Sequence, residues 1–445
     1  MPPERTIPAS RPSDLPSFKI LSEGSQISDA YNVLSIVVDK SVNKIPFAQL
    51  ILKDGDAASE NFALSNEDIF VPGKNIEIKA GYHGDEVTIY KGIVIKHALK
   101  VKQNGASVLK VECKDKTVKL TVGRKNKYFL EQTDSEIFEE IINNYSLEKD
   151  VESTSVQHKE MVQYYSTNWD FIVSRAEANG LLVIASDNKI TIIKPEISSA
   201  VLSLVYGATV LSFEAEMDAR NQFSSIKSNS WDYTNQEMVD AEAEDPSIQQ
   251  GGNLSVQDIS QTIALDNLEL KHSGKVEETE LQAWANATAL KSELSKIRGK
   301  VKCQGFSGIK PGDTLELSGF GDRFNGKAFV SGVSQQIVDN VWTTDIVFGL
   351  SPNWFIHEDD IVEVEASGLL PGIHGVQIGV VSALEGDPDG EDRIQVKLPV
   401  IDPNDEGIWS RISTLDAGEN RGSFFRPEIG DEVLVAFING DPRDA

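Results

Sequence analysis

The sequence predicts a mainly β protein with one α/β insert: two tandem β-barrels followed by a small OB-type barrel. Three observations carry this. Alternating Val, Ile, Thr and Lys fill most of the chain outside two stretches of helical period. A turn-and-strand unit occurs twice, as PGKNIEIKAGY then YKGIV from Pro72, and as PGDTLELSGF then FVSGVS from Pro311. After Ala366 the strands become short and evenly spaced, as in small Greek-key barrels.

The opening MPPERTIPASRPSDLP has no apolar core of a secretory signal and is rich in Pro, so residues 1–16 are expected to be a flexible arm. Residues 17–122 make the first barrel. Its strands are Tyr31–Val38, Phe47–Leu52, the stretch Ile76–Lys100 and Val108–Val122, with turns at Pro72-Gly73 and His83-Gly84. The period changes over 123–195, the α/β insert. Thr133-Asp134-Ser135-Glu136 caps a helix whose apolar face is Ile137, Phe138, Ile141 and Ile142. A second helix spans Asn168–Asn179, is capped by Thr167 or Asn168, and stops at Gly180. Leu181–Ala185 and Lys189–Lys194 then form a hairpin.

Residues 196–365 make the second barrel, through Val210–Met217, Gln222–Trp231, Lys300–Gln304 and Thr314–Leu317 to Phe348. It is interrupted by the acidic stretch Asn235–Ser255, expected to be a solvated, mobile and dispensable loop, and by the longest helix, Glu277–Ile297. The two turn-and-strand units place Pro72 with Pro311 and Gly73 with Gly312. They also match Gly92 with Gly332 further on, and this points to an internal duplication. Residues 366–445 make the OB-type barrel, with strands Val376–Leu384, Arg393–Leu398, Ile408–Ser413, Ser423–Phe425 and Glu432–Ile438, and a turn at Gly430-Asp431. The last strand leads into Asn439-Gly440-Asp441-Pro442, a turn with no returning strand.

Composition narrows the function. The 445 residues carry a formal charge of −27, which opposes nucleic acid and anionic membrane as partners. Cys113 and Cys303 lack metal-ligand spacing and read as buried thiols of a reducing compartment. The six histidines are scattered, with no two within four residues. EGDPDGEDR, Glu385–Arg393, lacks the distal bidentate Glu and flanking helices of a calcium loop, and reads as a turn. There is no nucleophile elbow and no phosphate-binding Gly loop. No catalytic, cofactor-binding or metal-binding residues are assigned, and no cofactor is expected.

GVVSALEGDPDGEDRIQVKLP (Gly379–Pro399), WSRIS (Trp409–Ser413) and FFRPEIGDEVLVAFINGDP (Phe424–Pro442) resemble the OB domain of VgrG-type spike proteins of contractile injection systems. YYSTNWDFIVSRAEANGLL (Tyr164–Leu182) and GVSQQIVDNVWTTDIVFGL (Gly332–Leu350) are similar to the hub segments of these spikes and of phage tail hubs. The resemblance implies the spike and hub of a type VI secretion system, an extracellular injection particle or a contractile phage tail. It also implies a chain truncated before the β-helix needle. The implied partners are two further copies in a homotrimer, a hexameric inner tube protein, baseplate proteins and, only through the needle, a PAAR-like tip protein. The implied function is mechanical: adapting a sixfold tube to a threefold needle, templating tube assembly and piercing membranes. The implied location is the bacterial cytoplasm at assembly, then an injected or secreted particle.

Two barrels per chain suit this, since three chains present six barrels. Trp409 and Arg411 share one face of their strand and are the expected trimer contact, with Arg411 able to pair with a carboxylate such as Asp431 or Glu432. The other option for Trp409 is the core beside Ile394, Val396 or Val435. Two readings from other classes stand beside the hub. One is a peptidoglycan-cleaving or effector-bearing spike enzyme. The other is an OB module for oligosaccharide or nucleic acid, which the charge opposes for nucleic acid.

Overall fold

Period-two alternation builds the first barrel. In the computed structural model, which describes residues 15–101, 107–248, 250–265, 267–358, 360–418 and 421–445, its strands are β1 (Pro16–Ser22), β2 (Ser25–Gln26), β3 (Val33–Ser41), β4 (Phe47–Lys53), β5 (Asn75–Tyr82), β6 (Asp85–Lys100) and β7 (Val108–Lys114). They run in the order β3-β4-β7-β6-β5-β1. Ile36, Val38, Ala48, Leu50, Leu52, Ile76 and Ile78 turn inward into one cluster and the residues between them outward. The expected strand to Val122 stops at Lys114. Asp115, fully buried, accepts from the amides of Thr117 (2.9 Å) and Asn188 (2.8 Å) and starts a short 3-10 helix instead. The N-terminal arm lies outside the described residues up to position 14.

The insert holds β8 (Lys125–Thr133), α1 (Asp134–Asn143), β9 (Glu148–Val151), β10 (Gln157–Ser166), α2 (Asn168–Ala178), β11 (Leu182–Ser186) and β12 (Lys189–Ile193). Both caps legible in the sequence form. Thr133 and Glu136 make a reciprocal capping box on α1, and Thr167 accepts from the amide of Asp170 (3.1 Å) on α2. β11 and β12 close through Asp187-Asn188, both with positive φ (56° and 72°), the mirror-image turn that suits strand twist.

The second barrel comprises β13 (Leu202–Val205) and β14 (Val210–Met217), then an excursion of β15 (Ile226–Asp232), β16 (Glu237–Glu242), α3 (Val256–Ser260), β17 (Leu268–His272) and α4 (Glu278–Ser295). It resumes with β18 (Ile297–Gln304), β19 (Thr314–Ser318), β20 (Gly326–Val338) and β21 (Val341–Phe348). Its order, β14-β18-β21-β20-β19-β13, repeats that of the first barrel strand for strand. The registers repeat as well. Val94 faces Cys113, which faces Ala48, which faces Val38; Val330 faces Phe348, which faces Gly299, which faces Ala215. A bulge falls at Leu34 in β3 and at Leu211 in β14, and another at Ile95 in β6 and Ser331 in β20. One strand differs: β1 runs antiparallel to β5, whereas β13 runs parallel to β19. The excursion occupies the place of the β3–β4 turn.

In this register Gly92 does not correspond to Gly332. Ile76 faces Gly92 where Leu315 faces Ala328, so the match of the second glycines is coincidental. A Cβ at Gly92 would lie 2.4 Å from the Lys114 carbonyl, and close packing of β6 on β7 is what requires that glycine.

The two barrels share one sheet. β3 pairs antiparallel with β20, from Ser41 opposite Gly332 to Ser35 opposite Val338. The joint is packed as well as hydrogen-bonded. Ile337 and Trp342 of the second barrel enter the core of the first, and Trp342 stacks on Tyr82 with ring centroids 5.2 Å apart.

The acidic stretch is not a loose loop. Residues Glu237–Glu242 form β16 against β15, with Ala241 buried. Beyond it Gln250 donates to the Leu294 carbonyl (2.7 Å), and the amides of Gly251 and Gly252 donate to Lys327 (2.6 Å) and Asn325 (2.7 Å). The carboxylates face water while alternate residues pack, a period that counting charges overlooks.

The chain divides into two units, Met1–Glu358 and Asp359–Ala445. The second contains β22 (Val376–Ala383), β23 (Ile394–Lys397), β24 (Ile408–Ser410), β25 (Ala417–Gly418), β26 (Arg421–Gly422) and β27 (Glu432–Ala436), with order β24-β23-β22-β27 around Val381, Ile394, Val396, Leu398 and Val435. The strand expected at Ser423–Phe425 is absent. The chain pairs earlier, as the β25–β26 hairpin, and Phe424 and Phe425 are exposed.

Candidate functional site

The turns singled out in the sequence share one geometry in all three barrels. Val71-Pro72-Gly73-Lys74, Lys310-Pro311-Gly312-Asp313 and Glu428-Ile429-Gly430-Asp431 each close with an amide-to-carbonyl bond from the fourth residue to the first (3.1, 3.2 and 3.1 Å). Each has its glycine at φ +94° to +100°, where an L side chain is strained. Each glycine then bonds a valine on the neighbouring strand. Gly73 donates to Val94, Gly312 to Val330 and Gly430 to Val381, and the three valines donate back to Lys74, Asp313 and Asp431. Just past each valine the strand bulges, at Ile95, Ser331 and Ser382. In the first two barrels the turn precedes the bulged strand; in the third it follows. This third copy lies outside what the linear repeat revealed, because its two halves come in the opposite order.

Trp409 lies on β24 opposite Gln395 and is partly exposed, outside the core cluster of its unit; Ile412 packs against that cluster. Arg411 is exposed. Its amide donates to Ala445 (3.0 Å) and its guanidinium to Asp444, so within the chain its carboxylate partner is neither Asp431 nor Glu432.

A charge cluster missed in the sequence joins α1, α2, α4 and β10. Asp134, fully buried at the start of α1, accepts from Arg175 Nε and Nη2 and from Asn179, each at 2.9 Å, and lies 2.9 Å from His158 Nε2. Arg175 Nη2 also reaches Glu280 at 3.0 Å. Burial alone would push the Asp134 carboxyl up. The hydrogen bonds from His158, Arg175 and Asn179 and the Arg175 charge outweigh it and hold the carboxyl well below its usual range. The same carboxylates hold Arg175 up against its own burial. Nearby, Glu177 accepts from Lys291 and from the amide of Phe355 (2.6 Å), and Lys291 lies over the Trp354 ring at 5.1 Å. Asp134, Glu177 and Glu280 each accept from a donor of another element, an arrangement that clamps helices to sheet.

Other candidates resolve into structure. Asp387 accepts from the amides of Asp389, Glu391 and Arg393 and from the Arg393 guanidinium, so EGDPDGEDR is an Asp-anchored turn. A hollow of about 490 Å³ beside β15 and α4 contains Glu293 and Lys296, which pair with each other at 2.8 Å. Cys113 and Cys303 are buried, and burial pushes both thiols up to about 12. Among the described residues no cluster of three His, Cys, Asp or Glu is arranged to hold a metal, and no helix is long and apolar enough to cross a membrane.

A family model described as Alg8 N-terminal domain matches residues 12–339. A second, the type VI secretion system/phage-baseplate injector OB domain, matches residues 377–445. The type VI secretion system spike protein VgrG1a of Pseudomonas aeruginosa is 30% identical over 164 residues, covering 34% of this chain and 24% of that protein. VgrG1b of the same organism is 28% identical over 164 residues, again 34% of this chain, and 21% of that protein. The chain thus matches less than a quarter of the length of either spike protein. Among solved structures, the 43 kDa tail protein of prophage MuSo2 from Shewanella oneidensis aligns with a TM-score of 0.57 at 12% identity, covering 76% of this chain and 98% of that one. A tail protein from Neisseria meningitidis MC58 aligns with a TM-score of 0.56 at 12% identity, with the same coverage. These two likenesses establish the fold: a phage-tail-type pair of barrels.

Proposed function

The chain belongs to the family of the Alg8 N-terminal domain, its OB barrel matches the injector family, and from that premise we propose that it is the trimeric hub of a contractile injection spike. In this reading three copies present six barrels to a hexameric inner tube protein. The OB barrels gather toward a threefold axis, and baseplate proteins surround the ring. The work is mechanical: matching sixfold to threefold symmetry, templating the tube and carrying the tip into a target membrane. Assembly takes place in the bacterial cytoplasm before the particle is fired or released. Neither a cofactor nor a nucleic acid takes part.

The observation that carries this is the duplication of two barrels that share strand order and, apart from the reversed strand β13, register, joined edge to edge through β3 and β20. An adaptor between sixfold and threefold rings needs two near-equivalent modules per chain, and a functional enzyme does not. The named relatives are spike proteins, which supports the same reading. Light scattering across a concentration series tests it. A species of three chains is expected, and a chain that stays monomeric or dimeric at every concentration overturns the proposal. A murein-degradation assay, expected to show no turnover, separates the hub from the enzyme reading.

A further inference from the structure

Among the described residues, β14 and the far half of β6 are two of the strand edges left open in the unit that ends at Glu358. β14 pairs only with β18 among the described residues. β6 pairs with β7 along its far half, Lys96 to Lys100, but β5 leaves its other edge at Ile93. An open edge presents a row of unpaired backbone groups, a template for pairing with another chain.

The barrel repeat says what the partner is. β14 corresponds to β3, since Val210, Phe213 and Ala215 occupy the places of Val33, Ile36 and Val38. β20 corresponds to β6, since Val330 occupies the place of Val94. Within the chain, β3 and β20 are already joined. The open edges of β14 and β6 are therefore the other halves of that same joint.

We propose that β14 of one copy adds antiparallel to β6 of a second copy, in the register that β3 and β20 use within the chain. Ser41 faces Gly332 and Val38 faces Gln335 in the joint present. Transferred through the repeat, Asp218 faces Lys96, Glu216 faces Ala98 and Glu214 faces Lys100 of the neighbour. Two opposite-charge pairs thus fall directly across the ladder, on one face of both strands. On the other face Phe213 meets Val101 and Ala215 meets Leu99. Val101 and Leu99 are 68% and 45% exposed in the single chain. Val101 takes the place of Ile337, which in the internal joint is buried in the core of the barrel it joins. The same operation repeated three times closes a ring of six barrels with alternating internal and external joints. This register rests on the trimeric hub reading and specifies its contact.

A cysteine pair tests the register. Ala98→Cys with Glu216→Cys in one chain is expected to give covalently closed trimers under mild oxidation. Lys96→Cys with Glu214→Cys, offset by four residues along the ladder, is expected to give none. The native thiols are buried and contribute little background. A charge swap gives a second readout. Lys100→Glu is expected to raise the concentration at which trimers form on the order of tenfold, and Lys100→Glu with Glu214→Lys to restore it. Trimers by light scattering with neither the cross-link nor the rescue would overturn the strand pairing and leave the hub reading standing. A chain that forms no trimer at all would overturn both.

Discussion

Arg175 holds the fully buried carboxylate of Asp134 through two nitrogens, Nε on one oxygen and Nη2 on the other, each at 2.9 Å. The contact ties α2 to the first residue of α1, and through Glu280 to α4. Asp134→Asn removes the charge but leaves Arg175 largely enclosed with Glu280 as its remaining acid. The substitution is expected to lower the stability of the unit that ends at Glu358 by roughly 3 kcal/mol, read from the denaturant midpoint. Asp134→Asn in a chain as stable as wild type would show that the cluster is incidental.

The same carboxylate makes stability depend on pH. Its folded value lies below its unfolded one, so the unfolded chain binds a proton first as pH falls. The contribution is therefore complete above the unfolded carboxylate value of about 4, and it is lost progressively below that. The gap between the melting temperatures of wild type and Asp134→Asn, measured from pH 7 down to pH 3, is expected to be constant above about pH 4 and to begin to narrow below it. Parallel curves would contradict this.

Gly73, Gly312 and Gly430 occupy the same left-handed position in three turns, but their surroundings differ. A Cβ meets nothing within 4 Å at Gly73 and Gly430, and lies 2.8 Å from the end of Ile184 at Gly312. Gly73→Ala and Gly430→Ala are each expected to cost about 1 kcal/mol from backbone strain alone, and Gly312→Ala more. Thermal denaturation of the three variants checks the ranking.

Gln250 and the two glycines after it anchor the acidic stretch to α4 and to the start of β20. Deleting 243–252 behind a short Gly/Ser bridge is expected to abolish or sharply reduce soluble protein. Gln250→Ala alone is expected to cost about 1 kcal/mol, because it removes one of the two donors to the Leu294 carbonyl and leaves the Leu350 amide in place. Full solubility of the deletion would restore the view of this stretch as dispensable.

Trp409 is partly exposed and lies outside the core cluster of the OB unit. As a trimer contact with Arg411, its replacement by Ala is expected to weaken assembly by about 2 kcal/mol per site while the unit stays folded. Sedimentation of the variant, paired with melting of the isolated unit 359–445 should that unit fold alone, distinguishes this from a core role.

Local chemistry was legible in the sequence alone. The box of Thr133 and Glu136, the cap at Thr167 and the Pro-Gly turns at 72–73 and 311–312 each depend on residues within four positions of one another, and they form where the side chains require. The inward faces of β4 and β23 follow from alternation for the same reason. Distant partners were not legible. Nothing near Ser41 indicates Gly332, and nothing near Asp134 indicates Arg175 or Glu280. A strand's period says which side chains turn inward but is silent on which edge it joins or in what register. The false match of Gly92 with Gly332, the pairing of β16 inside an acidic run, and the third copy of the turn with its halves exchanged all belong to that second kind. There the outcome is decided by close packing of backbones and by burial summed over elements far apart in the chain, and only the folded barrels bring those elements together.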